Sequence, residues 1–180
     1  MLNRLTPYLK SYFHNLETQG RPLPGQARLE KRLAYPLLNG LIGQTLPFTR
    51  RNGFTIEAIH HGYLRARMPL KGNHNHMGSV YAGAQFLLAE VPFGALSIIE
   101  FEGRYVPILR GLSIRFEQQA RTDLILELQL EEARIEELIR TVDEKGKANL
   151  PLSLVLKDRH GEVVATAEAD YQVRSRQKLQ

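Results

Sequence analysis

The chain has 180 residues, of which 43% are hydrophobic and 24% are charged. This composition is ordinary for one globular domain with a sizeable core, and it excludes a disordered chain, a collagen-like repeat and a membrane bundle. The chain contains no cysteine, so a disulfide framework, a thiolate metal site and a cysteine nucleophile are also excluded.

The positive charge is concentrated at the start of the chain, where the first 51 residues hold eight Lys and Arg against two Glu. A basic arm suits nucleic acid, an anionic membrane surface or a phosphate-bearing ligand, and it also suits a solvated helix face. We favour the solvated face and expect no nucleic-acid partner. Because no run approaches a signal-peptide core or the ~18 apolar residues of a spanning helix, we expect a cytoplasmic protein without a transmembrane segment.

Apolar residues at three- and four-residue steps predict two helices in this arm, one over Leu2 to Leu16 and one over Leu29 to Ile42. Pro36 is expected to kink or split the second helix. A boundary near residues 44–53 predicts a helical extension (1–50), a body (51–175) and a tail (176–180). We expect both helices to cap a sheet, and residues 1–45 to be dispensable for chemistry but not necessarily for stability.

The body begins with alternating residues that predict a hairpin over 54–68, turning at His61-Gly62. The most apolar helix of the chain follows, at roughly 79–99, and is expected to be buried on most of its circumference. The segment 133–141 indicates a short helix or a bulged strand. Alternation predicts four more strands, at 106–118, 123–130, 148–157 and 163–173. Their short connections favour antiparallel pairing, so the predicted fold is α+β, with an antiparallel sheet wrapped around one long central helix.

The start of that central helix is the first candidate site. Gly78-Ser79 suits a helix start, with Ser79 as the N-cap. The backbone N–H groups of Tyr81, Ala82 and Gly83 would then lack intrahelical partners. Such donors, at the positive end of the helix dipole, suit a carbonyl oxygen that gains negative charge.

Polar residues of the same segment supply the other candidates. Glu90 is a carboxylate in an apolar helix, suited to general-base chemistry if it is buried; alternatively, it faces water at a helix end before Pro92. Asn75 either orients a water or substrate or caps the loop. His74 and His76 show no complete ligand set, so we expect no metal. Motifs of serine hydrolases, nucleotide hydrolases and zincins are absent.

The stretch NHMGSVYAGAQFLLAE, Asn75 to Glu90, resembles the helix motif of hotdog-fold thioesterases. It is most similar to the phenylacetate-pathway type, with the pattern N-x-x-G-[ST]-x-H-G-G-x-x-F-x-L-A-[DE]. The matching residues are Asn75, Gly78, Ser79, Gly83, Phe86, Leu88, Ala89 and Glu90. The strand SIRF at 113–116 and the closing strands resemble an uncharacterised hotdog branch, and the resemblance covers about residues 50–175.

The resemblance implies a hotdog fold and an acyl-CoA thioesterase that needs no cofactor. It implies that Glu90 acts as base or nucleophile and that Asn75 positions water or substrate. The N–H of Ala82, with that of Gly83, would donate to the thioester carbonyl. The chain departs from the pattern in two places, since Tyr81 stands where the family often has His and Ala82 where it has Gly.

An open sheet face and free edges predict a homodimer or a dimer of dimers. The resemblance further implies that the site lies across that contact, where Asn75 and Glu90 meet from different subunits. The alternative function is a non-catalytic protein that binds acyl-CoA or an acyl carrier. A hydratase would pair a His with a carboxylate, and no such pattern is found around His60 or His61.

Overall fold

The structure is a computed structural model that describes residues 24–178, so the helix predicted over residues 2–16 lies outside the described part. In chain order the elements are α1 (Pro24–Thr45), α2 (Pro47–Arg51), β1 (Thr55–His60), β2 (Tyr63–Met68), α3 (Ala82–Phe101), β3 (Tyr105–Phe116), β4 (Leu124–Gln129), α4 (Glu132–Lys145), β5 (Lys147–Asp158) and β6 (Val163–Ser175), followed by a 3-10 turn (Arg176–Lys178).

The six strands form one sheet in the order β1-β2-β4-β5-β6-β3, and every neighbouring pair is antiparallel. The helix α3 packs against strands β2 to β6. This arrangement confirms the predicted α+β hotdog fold, with an antiparallel sheet around one long central helix.

The hydrophobic pattern explains the layers. Along β5, alternate residues are buried and the residues between them face outward. Fourteen of the twenty residues of α3 are buried, because the helix is enclosed by the sheet. Of the described helices, α3 is also the one whose length and apolar composition would suit a membrane span, and its burial in the core accounts for that composition.

The start of α3 differs from the prediction, and so does the helix end before Pro92 that the alternative interpretation of Glu90 requires. The helix begins at Ala82 rather than at Ser79, because the N–H of Val80 donates to the carbonyl of Ala120 and holds the preceding residues in a loop. Pro92 does not end the helix, which continues to Phe101. Glu90 therefore lies in the middle of α3 and not at its end.

The helix α1 is packed into the body. Pro36 lies within it without splitting it, and Leu38 and Ile42 are buried in the common core. The side-chain amide of Asn39 donates to the carbonyl of Ile56 at 3.0 Å and accepts from its N–H at 2.7 Å, so α1 covers part of the edge strand β1. The division into an extension (1–50), a body (51–175) and a tail (176–180) stays a prediction.

Candidate active site

The first turn of α3 presents two free backbone donors. Tyr81 is the N-cap residue and makes no side-chain capping bond. Its own N–H donates to the carbonyl of Asn73 at 2.7 Å, so it is not one of the free donors that the sequence predicts. The N–H groups of Ala82 and Gly83 have no acceptor within the described residues, and they can donate hydrogen bonds to a ligand oxygen at the positive end of the helix.

The ring of Tyr81 lies over this first turn. A Cβ atom at Gly83 would lie 2.6 Å from the Cε1 atom of Tyr81, so the absence of a side chain at Gly83 lets the ring approach the backbone. Tyr81 is otherwise exposed. The aromatic side chain thus lies against the backbone of the first turn at Gly83.

Asn75 fixes the loop that leads into α3. Its Oδ1 accepts from the N–H groups of Met77 (2.9 Å) and Ser79 (3.2 Å), and its Nδ2 donates to Oγ of Ser79 at 3.0 Å. Ser79 is therefore a partner of Asn75 and not the N-cap. Asn75 and Ala82 line one cavity of about 320 Å³ with residues 116–120, which comprise the end of β3 and the segment after it.

Glu90 lies in a different cavity. Its side chain is exposed, and it lines an apolar space of about 200 Å³ between α3, the end of α1 and the start of β3. The hydroxyl of Tyr171, on β6, donates to the backbone carbonyl of Glu90 at 2.5 Å. Burial raises the pKa of Tyr171 above its usual value of 10.0, and the charge of Glu90 raises it further.

Within one chain, Ala82 and Glu90 are therefore too far apart to act together on one substrate carbonyl. Ala82 and Glu90 are eight residues apart in a continuous helix, which places them ~12 Å apart along its axis. The structure brings Asn75 close to Ala82, and it leaves Glu90 two turns away, beside α1.

The carboxylate that is buried in α3 is Glu100, 4% exposed, which the sequence analysis missed. Its two oxygens accept from the N–H of Gly62 at 2.6 Å and from Nδ1 of His61 at 2.9 Å, while Nε2 of His61 bonds to Glu132. The sequence around His61 shows no such pair, because the two carboxylates that bond to its ring lie far away in the chain. This cluster lies ~27 Å along α3 from Ala82 and joins the β1–β2 turn to α3 and α4.

No group of His, Asp and Glu that could hold a metal ion occurs among the described residues. His74 and His76 are exposed loop residues. The two carboxylates beside His61 bond to opposite nitrogens of its ring, so they do not converge on one ion.

A larger depression, about 740 Å³, lies on the outer face of the sheet and is not close to α3. Its charged residues largely neutralise one another: Arg65 pairs with Glu57 and Glu127, and Arg159 pairs with Asp123. Hydrogen bonds from Tyr63 and Arg65 hold the pKa of Glu127 below its usual value. We therefore place the candidate site at α3 and not in this larger depression.

A sheet wrapped around one central helix, with free N–H donors at the start of that helix, defines the hotdog fold of thioesterases. The chain belongs to the family whose model is described as a domain of unknown function, DUF4442, which matches residues 36–173. No curated protein matches the chain.

Solved structures give the same fold. A Pseudomonas aeruginosa protein of unknown function, described as a probable thioesterase, is 41% identical and covers 86% of this chain and 97% of its own, with a TM-score of 0.74. A Haemophilus influenzae thioesterase is 12% identical over 78% of this chain and 90% of its own, with a TM-score of 0.60. A mutant thioesterase from P. aeruginosa is 17% identical over 78% and 94%, also with a TM-score of 0.60. The last two likenesses show the fold alone.

Proposed function

We propose that this protein is a cytoplasmic acyl-CoA thioesterase that needs no cofactor. The thioester carbonyl accepts hydrogen bonds from the N–H groups of Ala82 and Gly83, which stabilise the oxyanion as it forms. Glu90 takes a proton from a water that attacks the carbonyl carbon, or attacks that carbon itself to form an anhydride that water then hydrolyses. In both cases the C–S bond breaks and the CoA thiolate leaves and takes up a proton, while Asn75 holds the loop beside the reacting group. The observation that carries the proposal is the pair of free N–H donors at the start of α3 in a hotdog fold.

The separation of Ala82 and Glu90 supports a site shared by two subunits. A carbonyl bonded to Ala82 lies too far from Glu90 of the same chain for direct attack, because reacting atoms must approach to about 3–3.5 Å. An antiparallel α3 from a second copy would place that copy's Glu90 beside Ala82. The proposal therefore includes a homodimer or a dimer of dimers, with Asn75 and Glu90 of one site from different subunits.

The deciding experiment is the substitution Glu90→Gln, assayed by thiol release from a range of acyl-CoA thioesters. The change keeps the shape of the side chain but removes the base or nucleophile, so we expect turnover to fall by roughly 10²-fold or more. Because the side chain is exposed, the free energy of unfolding should stay unchanged.

The matched control is Glu136→Gln, which makes the same chemical change at an exposed position of α4. It should leave turnover at the wild-type level. Wild-type turnover by Glu90→Gln, on a thioester that the protein hydrolyses, would show that the proposed mechanism is wrong.

The second candidate is an acyl-CoA or acyl-carrier binding protein without turnover. Tyr81 and Ala82 favour it, because they stand where the thioesterases of the resembled motif often have His and Gly. Tight binding of acyl-CoA without release of thiol would support this candidate against the thioesterase.

A further inference from the structure

A glycine, Gly94, forms part of one wall of the apolar cavity beside Glu90. Gly94 lies one helical turn beyond Glu90 and lines the same cavity. A Cβ atom built at Gly94 meets no atom within 4 Å. Glycine is unfavourable in a helix interior, and here its effect is to leave the space above α3 empty.

The opposite wall comes from the end of α1 and the residue after it, namely Ile42, Thr45 and Leu46. Ile42 is buried in the core, whereas Leu46 is 45% exposed. Ile42 thus belongs to the core, whereas Leu46 lies at the border of the cavity, where a substitution should not disturb the core.

The chemistry of the lining is aliphatic. Val91, Ile98 and Leu109 contribute to it, and the hydroxyl of Tyr171 is bonded to the backbone carbonyl of Glu90. Among the described residues that line the cavity, Glu90 is the one with a charged side chain. An occupant with a reactive end at Glu90 and an apolar remainder along α3 fits this distribution.

We propose that this cavity holds the aliphatic tail of the acyl group, and that Gly94 and Leu46 set the longest chain that is accepted. The proposal rests on the proposed function, because the tail enters the cavity when the thioester carbonyl lies beside Glu90. It assigns to α1 a part in substrate selection, in contrast to the expectation that residues 1–45 are dispensable for chemistry.

The test compares kcat/KM for straight-chain acyl-CoA thioesters from acetyl to palmitoyl. Gly94→Leu places a side chain in the cavity, so kcat/KM for the longest accepted chain should fall about 10-fold or more relative to acetyl-CoA, the scale on which a hydrophobic pocket discriminates chain length. Leu46→Ala should extend the profile toward longer chains. Gly94→Ala is a smaller change in the same direction, in case the Leu variant does not fold.

Gly40→Leu is the matched control, because Gly40 is an exposed helical glycine whose added Cβ also meets no atom within 4 Å. It should leave the chain-length profile unchanged. Unaltered profiles in the Gly94 and Leu46 variants would overturn the assignment, even if hydrolysis itself is observed. If the protein prefers benzoyl-CoA or phenylacetyl-CoA and Gly94→Leu abolishes that preference, the cavity binds an aromatic ring and the assignment of an aliphatic tail is wrong.

A binding measurement separates this inference from the proposed function. Decanoate is titrated calorimetrically into Glu90→Gln, with and without the Gly94→Leu change, and we expect about 10-fold weaker binding in the double variant. If no thioester is hydrolysed but this loss is seen, the thioesterase proposal fails and the cavity assignment stands. Equal binding by both variants would overturn the assignment.

Discussion

We expect Asn75 to act on both the structure of its loop and the proposed reaction. Its Oδ1 holds the N–H groups of Met77 and Ser79, which lie just before the helix start with the proposed oxyanion donors. We expect Asn75→Ala to lower the free energy of unfolding by about 1–2 kcal/mol, the usual consequence of removing an acceptor from partly buried donors. Turnover should fall by less than in Glu90→Gln, since Ala82 and Gly83 keep their N–H groups. Urea unfolding and thiol release measure the two effects.

Two further variants separate the contributions of Asn75. Asn75→Asp keeps the Oδ1 acceptor and should restore most of the stability, but only part of the turnover. Ser79→Ala is the control, because it removes the Oγ partner and leaves both backbone donors with their acceptor. Wild-type stability and turnover in Asn75→Ala would contradict this account of the loop.

The cluster of His61, Glu100 and Glu132 links three elements and makes their association depend on pH. Both ring nitrogens of His61 bond to carboxylates, which requires the doubly protonated ring. Burial lowers the pKa of His61, but the hydrogen bonds and charges of Glu132 and Glu100 outweigh it, so the pKa is raised above 6.5. A raised pKa in the folded state gives a stabilisation that is complete below pH 6.5 and is lost as the pH rises through the raised value.

The prediction compares wild type with His61→Gln in urea unfolding at several pH values. The stability difference should be larger at about pH 6 than at about pH 9, by roughly 1 kcal/mol. His160→Gln is the control, since His160 is exposed in the turn between β5 and β6 and should show no such trend. A stability difference that is constant, or that grows at high pH, would contradict the pairing of protonated His61 with Glu100 and Glu132.

The whole molecule is predicted to be a dimer with sites shared between subunits. β3 is an edge strand of the sheet, and five of its twelve residues are exposed, so light scattering at micromolar concentration should give a dimer or a multiple of it. Mixing Glu90→Gln with Asn75→Ala, with exchange of subunits, forms heterodimers in which one site has both native residues. Activity should recover to about a quarter of the wild-type level in an equimolar mixture.

As the control, each variant is taken alone through the same subunit-exchange procedure, and its activity should not rise. A site contained within one chain would also give no recovery, because every site would then carry one substitution. Recovery of activity therefore distinguishes a site shared by two subunits from a site within one chain. A monomer in solution would contradict the proposed dimer.

Although the sequence left residues 133–141 open between a short helix and a bulged strand, it determined by itself the hairpin, the buried alternation of β5 and the apolar central helix. These features follow from hydrophobic periods of two and 3.6 residues, which report burial locally. The motif at residues 75–90 likewise indicated the hotdog fold and the free N–H groups of Ala82 and Gly83, because helix ends leave donors unpaired wherever they occur.

Only the tertiary structure decided where α3 begins, which carboxylate is buried and what lies beside Glu90. The helix starts at Ala82 because Val80 pairs with Ala120, 40 positions later. Glu100 is buried because His61 and Gly62, brought to it by the β1–β2 turn, satisfy its oxygens. α1 closes the cavity at Glu90 because it packs against β1. These contacts join residues far apart in the chain, and local periodicity carries no information about which distant segments meet.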